Sequence, residues 1–100
     1  MEKNEAQEII NGFNSAYLTR EEVIMIFSVF NCSVYTSIKT YQSMKKTSDD
    51  FYKKNNLKNP QIKAIPKVIA DSYFKSNGIT ADSLKERLDW ELQKNDESNN

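Results

Sequence analysis

Apolar residues recur every three or four positions along most of this chain, which predicts amphipathic α-helices. The first such stretch covers residues 2–13 and places Ile9, Ile10 and Phe13 near one face. Gly12, near the end of the stretch, indicates that the helix stops there. The chain therefore begins with a helix that has one face suited to a hydrophobic core.

The second helix has the clearest start in the sequence. Thr19 is a suitable N-cap, and Glu22, three positions later, completes a capping box. Leu18 and Val23 flank this start at the positions of a hydrophobic staple. These features predict a helix that begins after Thr19, and the small and cap-favouring residues at 28–33 indicate that it is short.

A long helix is predicted from residues 31–33 to about residue 54, because apolar side chains again recur at spacings of three and four. Most lysines of this segment lie off the apolar stripe, so we expect them to face outward. The stripe consists of Val34, Ile38, Tyr41, Met44 and then Phe51 or Tyr52.

Residues 55–60 interrupt the helical pattern, and residues 61–66 alternate in polarity, which favours a short extended segment. Pro66 has no backbone N–H, so a strand at this point is short or lies at a sheet edge. These residues therefore predict a short β element before the fourth helix.

A fourth helix is predicted up to Asn77 and Gly78, and a last helix from Thr80 onward. The fold class is therefore expected to be mainly α, with four to five helices and a short β element. A chain of 100 residues has the size of one domain. We expect a single domain over residues 1–93 and a disordered polar tail over residues 94–100.

The composition suits a soluble globular protein, with 38% hydrophobic and 28% charged residues. No segment approaches the ~20 apolar residues of a membrane-spanning helix. The N-terminal segment is acidic and polar, unlike a secretory signal, and the single cysteine, Cys32, excludes an intramolecular disulfide. We therefore expect a cytoplasmic protein that does not bind membranes.

The residue types exclude several kinds of chemistry. The chain has no histidine, which removes zinc sites built from cysteine and histidine and nucleophiles activated by histidine. It has no glycine-rich phosphate loop. Asp49 and Asp50 are adjacent, but the sequence places no third ligand beside them, so an exposed helix face is the simpler interpretation. We expect neither an enzyme nor a bound metal or cofactor.

Charge is strongly segregated along the chain although the formal net charge is zero. Residues 38–68 contain eight lysines and two aspartates, a net charge of +6, whereas each flanking segment has a net charge of −3. A polyanion responds to local charge more than to the total. The basic segment favours a nucleic-acid partner, and a solvated lysine-rich helix face explains it equally well.

The segment LTREEVIMIFSVFNCSVYTSIK, residues 18–39, is the most informative part of the sequence. It resembles the helix-turn-helix of small bacterial and phage DNA-binding proteins, including excisionase-like and MerR-like modules. The resemblance covers residues 18–40 well and residues 41–76 loosely, and its looser part implies a short β wing near residues 57–66. The positions in register are Leu18, Thr19, Glu22, Val23, Ile26, Phe27, Val29, Val34, Tyr35 and Ile38.

This resemblance implies that Val29 fills the angle between the two helices and that Val34 and Ile38 face inward. The outer face of the second helix is then free to enter a major groove, with Cys32 also facing outward. Hydroxyls and lysines suit phosphate oxygens, and asparagine suits an adenine edge. The implied DNA-binding residues are Asn31, Ser33, Tyr35, Thr36, Lys39, Thr40, Lys45, Lys46 and Lys63.

Three departures from the family pattern carry expectations of their own. Ser28 stands where the turn glycine is usual, and a positive φ is unfavourable for serine, so we expect a turn that either differs from the family's or is strained. Phe30 takes the place of an exposed serine. The reading face that the resemblance implies has no arginine, the residue that most often contacts guanine, so we expect contacts mainly to the DNA backbone.

The function that the resemblance implies is a small DNA-binding regulatory protein. It would act as a transcriptional regulator or excisionase-like factor of a phage, plasmid or other mobile element. Double-stranded DNA is the expected partner, and unused apolar surface around Trp90 predicts a homodimer. The alternative is a helical protein that binds another protein, as an antagonist or immunity-type factor without DNA binding. The neutral net charge and acidic ends fit that alternative.

Overall fold

A computed structural model describes residues 1–98 of the chain. Within these residues the fold is mainly α-helical, as the sequence predicts, with one small antiparallel sheet. The elements are α1 (Lys3–Phe13), β1 (Tyr17–Thr19), α2 (Arg20–Val29), α3 (Val34–Lys54), β2 (Ala64–Pro66), α4 (Lys67–Ser76) and α5 (Ala81–Ser98).

The β element predicted near residues 57–66 is β2, at the end of that segment, and it pairs with β1. The two strands are antiparallel, and Leu18 lies opposite Ile65 with both side chains fully buried. β1 immediately precedes α2, so the sheet holds the start of α2 beside the segment that leads into α4. β1 buries only its central residue, Leu18, whereas β2 buries both Ala64 and Ile65.

The core is centred on Phe74 of α4, which is fully buried. Its ring lies 5.5 Å from the ring of Phe13 and 5.4 Å from that of Phe27, measured between centroids. Such tilted aromatic pairs add to the stabilisation from buried apolar area. Phe74 therefore joins α1, α2 and α4 around one centre.

The inward face of α3 coincides only in part with the predicted stripe: Met44 is fully buried and Tyr41 packs against the core, as expected. Ser37, Met44 and Ser48 are buried, whereas Val34 is 61% exposed, so the inward orientation expected for Val34 is wrong. Ile38 is half-buried at the edge of the contact. The two serines are small enough for the neighbouring elements to approach the helix backbone closely, and an apolar-stripe argument overlooks them because they are polar.

Helix α5 buries Leu84 and Leu88, but Trp90 is 50% exposed. Trp90 lies two positions from Leu88, and at 3.6 residues per turn it points away from the buried side. The helix continues as far as Ser98, within the segment predicted as a disordered tail. No glycine or proline interrupts it. Residues 99 and 100 of that predicted tail lie outside the described residues.

None of the helices among the described residues has the length and apolar character that crossing a bilayer requires. The described residues also contain no cluster of three cysteine, aspartate or glutamate side chains that could hold a metal ion.

Candidate nucleic-acid interface

The start of α2 is built as the sequence predicts. The backbone N–H of Thr19 donates to Oε1 of Glu22 at 2.9 Å, and the N–H of Glu22 donates to Oγ1 of Thr19 at 3.2 Å. Leu18 and Val23, the predicted staple pair, are both fully buried. The reciprocal capping box satisfies two backbone donors that helix geometry leaves without partners, and it fixes the direction in which α2 leaves the sheet.

The turn between α2 and α3 is a Schellman motif centred on Asn31, which has a φ of 61°. The N–H of Cys32 donates to the carbonyl of Phe27 at 3.2 Å, and the N–H of Asn31 donates to that of Ser28 at 3.0 Å. Ser28 itself is helical, and the positive φ lies at Asn31, so the turn differs from the family pattern, one of the two outcomes expected from the missing glycine. Asparagine adopts the left-handed conformation more readily than most residues, which explains a turn without glycine.

Apolar packing holds this turn against the rest of the protein. Val29 is buried, as the helix-turn-helix resemblance implies. Phe30 and Cys32 are partly buried and pack against the core, so the outward orientation expected for Cys32 is wrong. The turn is therefore anchored on three of its side chains.

Two of the predicted DNA-binding residues have structural roles in the turn. Asn31 supplies the left-handed conformation, and Ser33 is the N-cap of α3. The Oγ of Ser33 accepts from the backbone N–H of Thr36 at 3.1 Å and lies 2.9 Å from its Oγ1. Both residues are exposed, but their conformations are determined by the turn.

Four exposed side chains form a line along α3, here called the outward strip: Tyr35, Lys39, Gln42 and Lys46. Their spacings of four, three and four residues keep them within a sector of about 60° around the helix. Tyr35 is 69% exposed, and the amine of Lys39 lies 5.3 Å from the centroid of its ring. Three of these residues were predicted. Gln42 was missed, although its helical spacing from Tyr35 and Lys39 was readable in the sequence.

A shallow groove of about 380 Å³ runs between α3 and the C-terminal end of α4. Predicted residues Thr36 and Thr40 lie in it rather than on the outward strip. The Oγ1 of Thr40 donates to the carbonyl of Thr36 at 2.9 Å, so this hydroxyl is occupied within the helix. The lining residues are Tyr35, Thr36, Lys39, Thr40, Ser43, Tyr73 and Asn77.

Tyr73 and Asn77 bring α4 to this groove, and sequence reasoning did not include them. The hydroxyl of Tyr73 lies 2.6 Å from Oγ1 of Thr47 and donates to the carbonyl of Ser43 at 3.2 Å. The side-chain amide of Asn77 donates to the carbonyl of Tyr73 at 2.8 Å. Only the tertiary fold places α4 beside α3, so no local pattern could identify these residues.

Two predicted lysines lie away from the outward strip. Lys45 is half-buried, lies about 100° around α3 from Lys46, and forms an ion pair with Asp49 at 3.1 Å. Lys63 is exposed in the segment before β2, outside the strip and the groove. The structure therefore does not join Lys45 or Lys63 to the other predicted residues.

The inward flank of α3 is electrostatically distinct from the strip. Burial raises the pKa of the Tyr41 hydroxyl, and the nearby carboxylate of Glu21 raises it further. From residue 34 to residue 48, α3 carries three lysines and no acidic residue. The outward strip is thus cationic, with Glu21 near the Tyr41 side of the helix and with Asp49 and Asp50 exposed on the turn that follows the strip.

No protein-family model, no curated protein and no solved structure matches this chain.

Proposed function

We propose that this protein is a small DNA-binding regulatory protein that places the outward strip of α3 in the major groove of double-stranded DNA. The observation that carries the proposal is the strip itself, on a 21-residue helix that follows a short turn after α2. A major groove about 12 Å wide admits one α-helix, whose exposed side chains then meet bases and phosphates.

The chemistry of the strip favours contacts to the DNA backbone. Lys39 and Lys46 suit phosphates, whereas Gln42 is the strip residue best suited to an adenine edge. The exposed ring of Tyr35 offers an apolar contact for a thymine methyl group. With no arginine in the strip, sequence discrimination rests on few contacts, and affinity rests on phosphate neutralisation.

The proposal includes the regulatory context that the helix-turn-helix resemblance implies: a transcriptional regulator or excisionase-like factor of a mobile element, acting in the cytoplasm. It also includes a homodimer, because a single short strip provides few contacts and two copies on adjacent half-sites double them.

The direct test is a fluorescence-anisotropy titration of labelled duplexes from the gene's own neighbourhood, at several salt concentrations. We expect the double variant K39A/K46A to bind more weakly, with the slope of log affinity against log salt reduced by about 2. The control is K3A/K85A, which removes the same charge from exposed sites on α1 and α5. Equal affinities for the two double variants would contradict the proposal.

One observation favours a second candidate function, a protein that binds another protein as an antagonist or immunity-type factor. Trp90 is half-exposed beside a groove of about 340 Å³ formed with Phe30, Ser83, Glu86 and Arg87. Tryptophan and arginine are enriched at the centres of protein interfaces. A folded protein that binds no duplex even at low salt would favour this candidate.

A further inference from the structure

A cation from α5 meets the end of α2. The Nε of Arg87 donates to the carbonyl oxygen of Val29 at 3.1 Å, across 58 positions of sequence. The last turn of α2 has no basic residue of its own, although the carbonyl end of a helix attracts positive charge. Arg87, on a helix distant in sequence, therefore provides a positive charge at the C-terminal end of α2.

The carbonyl that Arg87 contacts is one that the turn does not use. The Schellman motif occupies the carbonyls of Phe27 and Ser28. Val29, the last residue of α2, follows them and points its carbonyl toward α5. Two separate sets of hydrogen bonds therefore stabilise the end of α2: those of the Schellman motif and the one from Arg87 of α5.

Arg87 is itself well anchored. It lies between Leu84 and Leu88, whose side chains are buried in the core. On the other side, its guanidinium carbon lies 5.3 Å from the centroid of the Trp90 ring, a cation–π distance. The guanidinium is thus confined between an aromatic ring and the end of α2.

We propose that Arg87 is a positioning residue that sets the direction of α3 relative to α2 and so makes α5 part of the DNA-binding unit. Only residues 30–33 separate the two helices, with Asn31 left-handed and Ser33 already the N-cap of α3. A displaced Val29 carbonyl therefore redirects α3. The effect on DNA affinity rests on the proposed function, whereas the effect on helix orientation does not.

The first experiment measures duplex affinity for R87M, R87K and the control K85M, at a temperature where circular dichroism shows each fully folded. R87M keeps the aliphatic length but loses the donor and the charge, and we expect roughly three- to tenfold weaker binding. R87K keeps the charge and a donor, so it should recover part of the affinity. A purely structural role would lower the melting temperature and leave the affinity of folded R87M equal to that of K85M, which would overturn the proposal.

The second experiment needs no DNA. Residual dipolar couplings of backbone amides in α2 and α3 give the angle between the helices in the wild type, R87M and K85M. A changed angle in R87M alone is expected, and an unchanged angle overturns the inference. If the wild type binds no duplex while R87M shows the changed angle, the proposed function fails and the positioning role stands. If R87M does not fold, R87Q, which loses the charge, is measured in its place with the same criterion.

Discussion

The hydroxyl of Tyr73 lies 2.6 Å from Oγ1 of Thr47, and this contact ties α4 to the side of α3. The same hydroxyl donates to the backbone carbonyl of Ser43, so one side chain holds two successive turns of α3. This arrangement determines which side of α3 is covered and leaves the outward strip on the open side.

Replacing Tyr73 with phenylalanine removes both hydrogen bonds and keeps the ring. We expect Y73F to lower the free energy of unfolding by about 1 kcal/mol, because each bond is partly exposed and its net contribution is modest. Urea denaturation is the measurement, and Y35F is the matched control since Tyr35 is largely exposed. A Y73F midpoint equal to that of Y35F would show that the contact does not stabilise the fold.

Ser48 is fully buried on α3, and its hydroxyl has no hydrogen-bond partner among the described residues. Burying an unsatisfied hydroxyl is unfavourable, and alanine has the higher helix propensity. We expect S48A to raise the free energy of unfolding by about 1 kcal/mol. S37A is the control: Ser37 is equally buried but donates to the carbonyl of Ser33 at 2.9 Å, so its loss should destabilise. Destabilisation by S48A would contradict this account.

Asn31 has a φ of 61° in the turn that leads into α3. A side chain with Cβ is strained there, so we expect N31A to lose about 1 kcal/mol of stability and N31G to remain close to the wild type. Thermal unfolding of both variants is the measurement. Asn56, which follows α3 and has a φ of 54°, is the comparison site. We expect N56A to be less stable than N56G by a similar amount. Equal stability of N31A and N31G would show that the left-handed conformation at position 31 does not affect the stability of the fold.

Lys67 joins the start of α4 to the end of α1. Its amine donates to the carbonyl of Phe13, lies over that residue's ring, and is 3.3 Å from the carboxylate of Asp71. Burial lowers the pKa of this amine, and Asp71 opposes that effect. We expect K67M to lower the free energy of unfolding by about 1–2 kcal/mol, since a helix-end cation and a cation–π contact are both lost.

The control for Lys67 is K75M, on the same helix at an exposed position. Calorimetric unfolding of the two variants under identical conditions gives the comparison. A K67M protein as stable as K75M would mean that the contact with Phe13 contributes nothing to the fold.

The elements that sequence patterns predicted correctly are those with local causes. The capping box at Thr19 and Glu22 joins residues only three positions apart, and the stop after α4 depends on Gly78, which has a φ of 74°. Such features do not require knowledge of the tertiary fold. The start of α2 and the end of α4 followed from them, and the short β element followed from the polarity alternation of residues 61–66, which is also local.

The features that the sequence could not supply depend on contacts between distant segments. The face of α3 turned inward at Ser37 rather than Val34, because neighbouring elements pack closely against small side chains. Tyr73 reached the groove only because α4 lies beside α3. Arg87 met Val29 only because α5 lies beside α2. The exposed face of α3 therefore differs in part from the one implied by the sequence, and it carries the outward strip.

The central claim is that the outward strip of α3 contacts DNA, and amide chemical-shift mapping of the ¹⁵N-labelled protein tests it most directly. A duplex from the gene's neighbourhood is titrated in at low salt. The account predicts the largest changes at Tyr35, Lys39, Gln42 and Lys46, with the exposed face of α5 unaffected. Changes centred on Trp90, or no changes in a folded sample, would contradict it.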